Sequence, residues 1–195
     1  MIAPLAPNQP VLDFLMSRRS RPAKTLKGPG PDRTALRPLL EAAARTPDHG
    51  KLEPWRFIVL ERGALERLAV GIKARGAALG IEPEKVLKAS SEYANSPLAV
   101  VVVSAPKPSE KVPQIEQVYS AGAVCLALVN TAMAAGWGAN WLSGWATHDE
   151  AFRKEGFGLS SDERIAGVIH IGTEGAVPPE RPRPDIDVIT TWADS

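Results

Sequence analysis

The sequence predicts an α+β or three-layer α/β domain, and three observations lead there. Apolar residues make up 44% of 195 positions, enough for one substantial core at about the length of one domain. Leu98 to Val103 and Ile165 to Ile171 are continuous apolar runs of strand length, the pattern of strands buried on both faces. Longer segments with apolar residues at helical spacing lie between them, and neither an internal repeat nor a linker divides residues 1–195.

Val11 to Met16 reads as a short helix ending at Arg18-Arg19-Ser20-Arg21. Proline and glycine from Pro22 through Lys27-Gly28-Pro29-Gly30-Pro31 then enforce a loop. Asp32 is a candidate N-cap for a helix to about Arg45, with Leu36, Leu39, Leu40 and Ala43 at helical spacing. Pro38 lies inside it, so a kink or a tightened first turn is expected.

Trp55 to Leu60 is aromatic and β-branched enough for a strand. Gly63 to Leu79 and Glu84 to Tyr93 read as helices, with Pro83 suited to the first turn of the second. Ile115 to Ala135 is the long central helix, Gly138 to Ser143 a strand and Asp149 to Glu155 a helix. The tail beyond Gly172 carries Pro178, Pro179, Pro182 and Pro184 and reads as extended chain wrapping over something.

Composition narrows the function. A net charge of +1 and a pI near 7.9 give no electrostatic footprint for nucleic acid. The single Cys125 excludes an intrachain disulfide and any multi-cysteine metal site, and its apolar neighbours mark it as a buried thiol. Met1 to Pro10 has no basic region followed by an apolar stretch, and Ala121 to Trp137 is interrupted by Asn130 and Thr131. A cytoplasmic protein without a membrane partner is expected.

Two segments carry candidate chemistry. Arg18-Arg19-Ser20 offers cationic forks and a hydroxyl, the set a phosphate monoester needs, although cations also suit a solvated helix end. Pro47-Asp48-His49 is a turn leading through Glu53-Pro54-Trp55 into a strand. Adjacent Asp48 and His49 do not aim at one another, and no Gly-x-Ser-x-Gly elbow supplies a nucleophile, so a hydrolytic triad is disfavoured. Asp48 caps or tightens the turn in the plainer reading. His49, His148 and His170 are scattered, which gives a metal site little support. Gly136-Trp137-Gly138 lacks the third glycine of a dinucleotide fingerprint and follows a helix, so it reads as a helix end. Trp141-Leu142-Ser143-Gly144-Trp145 sets two planar side chains beside backbone that a ligand can approach, or is ordinary core.

As an ordered set these pieces resemble the FMN-dependent nitroreductase superfamily, and within it the small YdjA-like NAD(P)H nitroreductases. The matching pieces are Arg18-Arg19-Ser20, Arg45-Thr46-Pro47-Asp48-His49, Pro54-Trp55, Gln117 to Gly122, Gly136-Trp137-Gly138, Trp141 to Gly144 and Ile171-Gly172-Thr173. The resemblance implies a mixed central sheet flanked by helices and an intertwined homodimer with FMN at its interface. Arg18, Arg19 and Ser20 would bind the FMN phosphate and ribityl from one chain, and Arg45 and His49 would reach the flavin from the other. Trp141, Leu142 and Ser143 would lie against the isoalloxazine, and Ala134 to Ala139 would serve NAD(P)H. The implied activity is electron transfer from NAD(P)H to a nitroaromatic or quinone by a ping-pong route, with no catalytic side chain. The alternative is an FMN-binding protein with little turnover, acting in flavin storage or partner binding. This chain departs from the superfamily pattern at Lys51 and Glu53, where Asn and Gln are usual, at Pro22 for Arg, and at Leu142, where relatives can carry Arg.

Overall fold

In the computed structural model, residues 4–194 are described; Met1 to Ala3 and Ser195, the extremes of the expected 1–195 domain, lie outside the described residues. The helices are α1 (Gln9–Ser17), α2 (Arg33–Ala43), α3 (Arg62–Ala78), α4 (Pro83–Ala94), α5 (Gln114–Ala134), α6 (Trp145–His148), α7 (Glu150–Phe157) and α8 (Ile186–Ile189). The strands are β1 (Leu26–Lys27), β2 (Trp55–Leu60), β3 (Leu98–Ser104), β4 (Gly138–Leu142) and β5 (Arg164–Glu174). Single 3-10 turns occupy Ala23–Thr25 and His49–Lys51.

Local chemistry sets these boundaries. Asp32 caps α2 by accepting from the Ala35 N–H at 2.8 Å, and Asp149 caps α7 by accepting from the Phe152 N–H at 2.7 Å. The α2 helix continues through Pro38. Gly136, at a φ of 84°, ends α5 in the left-handed conformation. Its N–H donates to Met133 O and that of Trp137 to Ala132 O, both at 3.0 Å, the paired bonds of a Schellman stop.

The sheet corrects one expectation. Among the described residues every ladder is antiparallel, not mixed. A single helix, α5, carries the chain from β3 to β4, which therefore run in the same direction. They do not pair, because β5 lies between them and opposes both. The order across the sheet is β4-β5-β3-β2, with β1 pairing the last residues of β5.

Strand β3 is buried at all seven positions, and its alternation divides two cores. Ala99, Val101 and Val103 face one cluster, shared with Leu65, Leu68 and Ile72 of α3 and Phe152 of α7. Leu98, Val100 and Val102 face the other, shared with Leu36 and Leu39 of α2 and Val124 and Leu128 of α5. Three layers result, helices on both faces of the sheet. Helix α5 is long and apolar enough to cross a membrane by length and composition. Here one face of it is core, with Val124, Cys125, Leu128 and Val129 buried. The other leaves Ile115, Val118, Tyr119 and Leu126 exposed.

Candidate functional site

The basic segment begins where α1 stops. Arg18 leaves helical geometry (φ −59°, ψ 141°) while its N–H still donates to Phe14 O at 2.8 Å. Three residues later the Arg21 N–H donates to Ala139 O at 2.9 Å, which fastens the segment to β4. Arg18 Nη2 donates to Ser20 Oγ at 3.1 Å and contacts Met133 Sδ, so the two predicted phosphate ligands already touch. Arg19 Nε donates to Pro179 O at 2.5 Å, and Arg21 forms an ion pair with Glu174.

Of the two tail arginines that could add a phosphate contact, Arg181 and Arg183, the second joins this group. Arg183 Nη2 donates to Arg18 O at 3.3 Å and pairs with Glu180 at 2.8 Å, so the proline-rich tail folds over the arginines. Burial first, then the nearby Arg183 and Arg21, lower the Arg18 pKa. Its buried Nε has no hydrogen-bond partner. Cations crowded against each other with an unsatisfied donor are chemically suited to an anion. A cavity of about 240 Å³ opens there, lined by Arg18, Arg21, Met133, Gly136, Trp137 and Gly138. Most of the Ala134 to Ala139 stretch read for NAD(P)H therefore adjoins the same cluster.

Strand β4 carries the site onward. From Ala139 to Ser143 is roughly 13 Å at strand rise. Trp141 is 38% exposed, Leu142 is half-buried and Ser143 is exposed. The Trp141 indole lies across the bare backbone of Gly167, where a Cβ would collide with its Nε1 and Cδ1. Glycine there is a seat for the ring.

The second predicted segment lies elsewhere. Arg45 is exposed beyond the end of α2, with no side-chain partner among the described residues. His49 Nδ1 is 2.7 Å from Glu116 Oε2, in the first turn of α5. Its turn is fixed from both sides. Trp55 Nε1 donates to Ser120 Oγ at 3.1 Å, and Ser120 Oγ donates to Pro47 O at 3.0 Å. Asp48 Oδ1 accepts from the N–H groups of Leu52 (2.6 Å) and Glu53 (3.3 Å), which is the turn-tightening role and not a dyad. Lys51 and Glu53, two of the departures from the superfamily pattern, have positive φ of 54° and 48°. Each such non-glycine residue stores about 1–3 kcal/mol. A cavity of about 580 Å³ opens at this end between Lys107, Ser109, Val112, Gln117 and Arg164. Lys107 and Arg164 carried no motif that would have singled them out as cavity-lining, and Gln117 entered only as the first residue of the Gln117 to Gly122 piece of the resemblance.

The two segments do not meet within one chain. Arg18 contacts Met133 near the end of α5, and His49 contacts Glu116 at its start. Those helix positions are about 25 Å apart at the α-helical rise.

The nitroreductase family profile matches residues 15–173. Over 162 residues the chain is 35% identical to "Putative NAD(P)H nitroreductase YdjA" of Escherichia coli K12, covering 83% of this chain and 87% of that one. It is 37% identical over 163 residues to the "Putative NAD(P)H nitroreductase" of Haemophilus influenzae, at the same coverage. The fold matches a nitroreductase-like family protein from Bacillus cereus at TM-score 0.79 and 22% identity, over 100% of both chains. A Desulfovibrio desulfuricans nitroreductase-type structure, solved in complex with FMN, matches at TM-score 0.74 and 18% identity, over 97% of this chain and 100% of that one.

Proposed function

The chain belongs to the nitroreductase family, and from that premise we propose that it is a cytoplasmic, homodimeric FMN-dependent oxidoreductase. It passes electrons from NAD(P)H to an electron-poor small molecule, a nitroaromatic or a quinone, by a ping-pong route. The whole chain serves as one FMN-binding domain.

One observation carries this reading: the unpartnered, buried Arg18 Nε amid Arg19, Arg21 and Arg183, at the start of the strand that ends in Trp141-Leu142-Ser143. A phosphate monoester fits that donor set, because it neutralises several cations at once and accepts from guanidinium forks. Arg18, Arg19 and Ser20 would hold the phosphate and ribityl, and Arg183 would close over them. Trp141, Leu142 and Ser143 would flank the ring. When bound, the flavin supplies the redox chemistry, so no side chain need be a nucleophile or a permanent base. The protein's contribution is position, exclusion of water and charge.

Arg45 and His49 fit the same flavin only from a second subunit. The separation along α5 supports this, and so does the exposed stripe of Ile115, Val118, Tyr119 and Leu126 on that helix. A two-fold axis through the stripe would set the start of one α5 beside the end of the other. Each site would then take Arg18 from one chain and His49 from its partner.

The test is direct. The protein should purify yellow, and anaerobic mixing with NADH or NADPH should bleach the flavin within the time of a stopped-flow experiment. A colourless protein, or bound flavin that neither coenzyme reduces, would overturn the enzymatic reading. The second of those results would favour a storage or partner-binding role.

A further inference from the structure

The arginine cluster at the end of α1 is opposed by two carboxylates that the phosphate assignment leaves unexplained. Glu180 pairs with Arg183 in the tail. Glu174, the last residue of β5, pairs with Arg21, and both line the 240 Å³ cavity that also carries Arg18. A carboxylate in the wall of an anion cavity repels the anion, so its presence there needs a reason.

The backbone fixes this carboxylate in place. Glu174 pairs with Leu26 of β1, and Thr173 before it donates to Pro29 O through its N–H at 3.2 Å and its hydroxyl at 2.9 Å. A Cβ on Gly138 would meet Leu26 at 2.6 Å and Arg21 Cβ at 3.5 Å, so Arg21 and β1 are packed against the cavity wall. Arg21 is held at both ends. Its N–H donates to Ala139 O, its Nη1 to Arg19 O at 2.6 Å and its Nε to Glu174. Two of its three guanidinium nitrogens are therefore taken, whereas the buried Arg18 Nε has no partner.

Charge supplies the reason. Arg18, Arg19, Arg21 and Arg183, set against Glu174 and Glu180, leave the cluster a surplus of two positive charges. A phosphate monoester carries a charge of about −1.5 to −2 at neutral pH. We propose that Glu174 sets the strength of anion binding here, withholding Arg21 and matching the surplus charge of the cluster to one phosphate monoester. The proposal rests on the phosphate reading above. Its consequence is a site that holds FMN less tightly than four arginines allow and that limits their mutual repulsion when the flavin is absent. The side chains of the pair are 22% and 34% exposed, so salt weakens this control without abolishing it.

The experiment titrates flavin-free wild type, Glu174→Gln, Arg21→Ala and the double variant with FMN and with riboflavin, which lacks the phosphate. In Glu174→Gln the FMN Kd should fall on the order of tenfold, and the riboflavin Kd should not change. The gain should shrink in about 1 M salt. Arg21→Ala leaves Glu174 unpaired in the cavity wall and should raise the FMN Kd by a similar factor. The double variant should return close to wild type. A merely structural role for Glu174 would instead weaken both ligands alike. An unchanged or raised FMN Kd in Glu174→Gln, or a double variant as weak as Arg21→Ala, overturns the role of Glu174. Wild type that binds riboflavin as tightly as FMN overturns instead the phosphate reading on which it rests.

Discussion

Replacing Arg18 by alanine should weaken FMN binding without weakening the folded protein, and this pairing of effects is what makes the variant informative. The guanidinium sits part-buried, with Nε unpartnered and Arg21 and Arg183 close enough to lower its pKa. In the flavin-free protein it is therefore under electrostatic strain, and its removal should leave the thermal midpoint unchanged or raised. With FMN present the same group would, in the proposed site, make charge-assisted hydrogen bonds to a phosphate, worth about 1.5–3 kcal/mol. Its loss should raise the FMN Kd about ten- to a hundredfold. Fluorescence titration of apoprotein with FMN measures the Kd, and differential scanning calorimetry of apoprotein measures the midpoint. Arg18→Lys should fall between, since it keeps charge but loses the planar fork. An unchanged Kd in Arg18→Ala would refute the phosphate assignment. A lowered apoprotein midpoint would refute the argument that Arg18 is held there for a ligand.

Other outcomes follow from the same geometry. Mixing Arg18→Ala with His49→Ala, each deficient in FMN binding, should restore about a quarter of the sites by subunit exchange; no recovery on equilibrium dialysis would mean that one chain supplies both residues. Gly167→Ala should push the Trp141 indole off its seat, changing tryptophan fluorescence and costing about 1–3 kcal/mol in chemical denaturation. The His170 pKa is depressed from 6.5 to about 4, so the unfolded chain takes up its proton first as pH falls. This contribution is complete above pH 6.5 and is lost on acidification toward about 4, by roughly 3 kcal/mol in all. Guanidinium unfolding at several pH values should show that decline, and His170→Asn should flatten it.

Much of this architecture could be read from residue pattern because the responsible forces are local. Asp32 caps its helix, Gly136 stops α5, and the β3 run is buried over its whole length because apolar side chains fill both faces. What escaped depends on contacts distant in sequence. Strand β1 is two residues long and exists only by pairing with Thr173 and Glu174, so it has no periodicity to detect. The antiparallel sheet follows from β5 entering between β3 and β4, which no single segment encodes. At the site, Arg18-Arg19-Ser20 and Trp141 to Ser143 were legible as types of chemistry. Their juxtaposition along β4 rests on the bond from Arg21 N–H to Ala139 O. Arg183 could not be chosen over Arg181 as a further phosphate contact, because a proline-rich tail gives no sign of where it folds back. Glu116 was hidden because an acidic residue in a first helical turn already has a reason to be there.

The length of α5 is also a constraint on how this gene can change. Each residue inserted between Glu116 and Met133 would lengthen the helix by about 1.5 Å and turn everything beyond it by about 100°. In the proposed two-fold pair that error would enter both sites at once, because each would be assembled from opposite ends of the two helices. Loops such as Lys107 to Lys111 can absorb insertions with little effect on that spacing. Within α5, by contrast, single-residue insertions and deletions should be selected against even at exposed positions that tolerate any substitution.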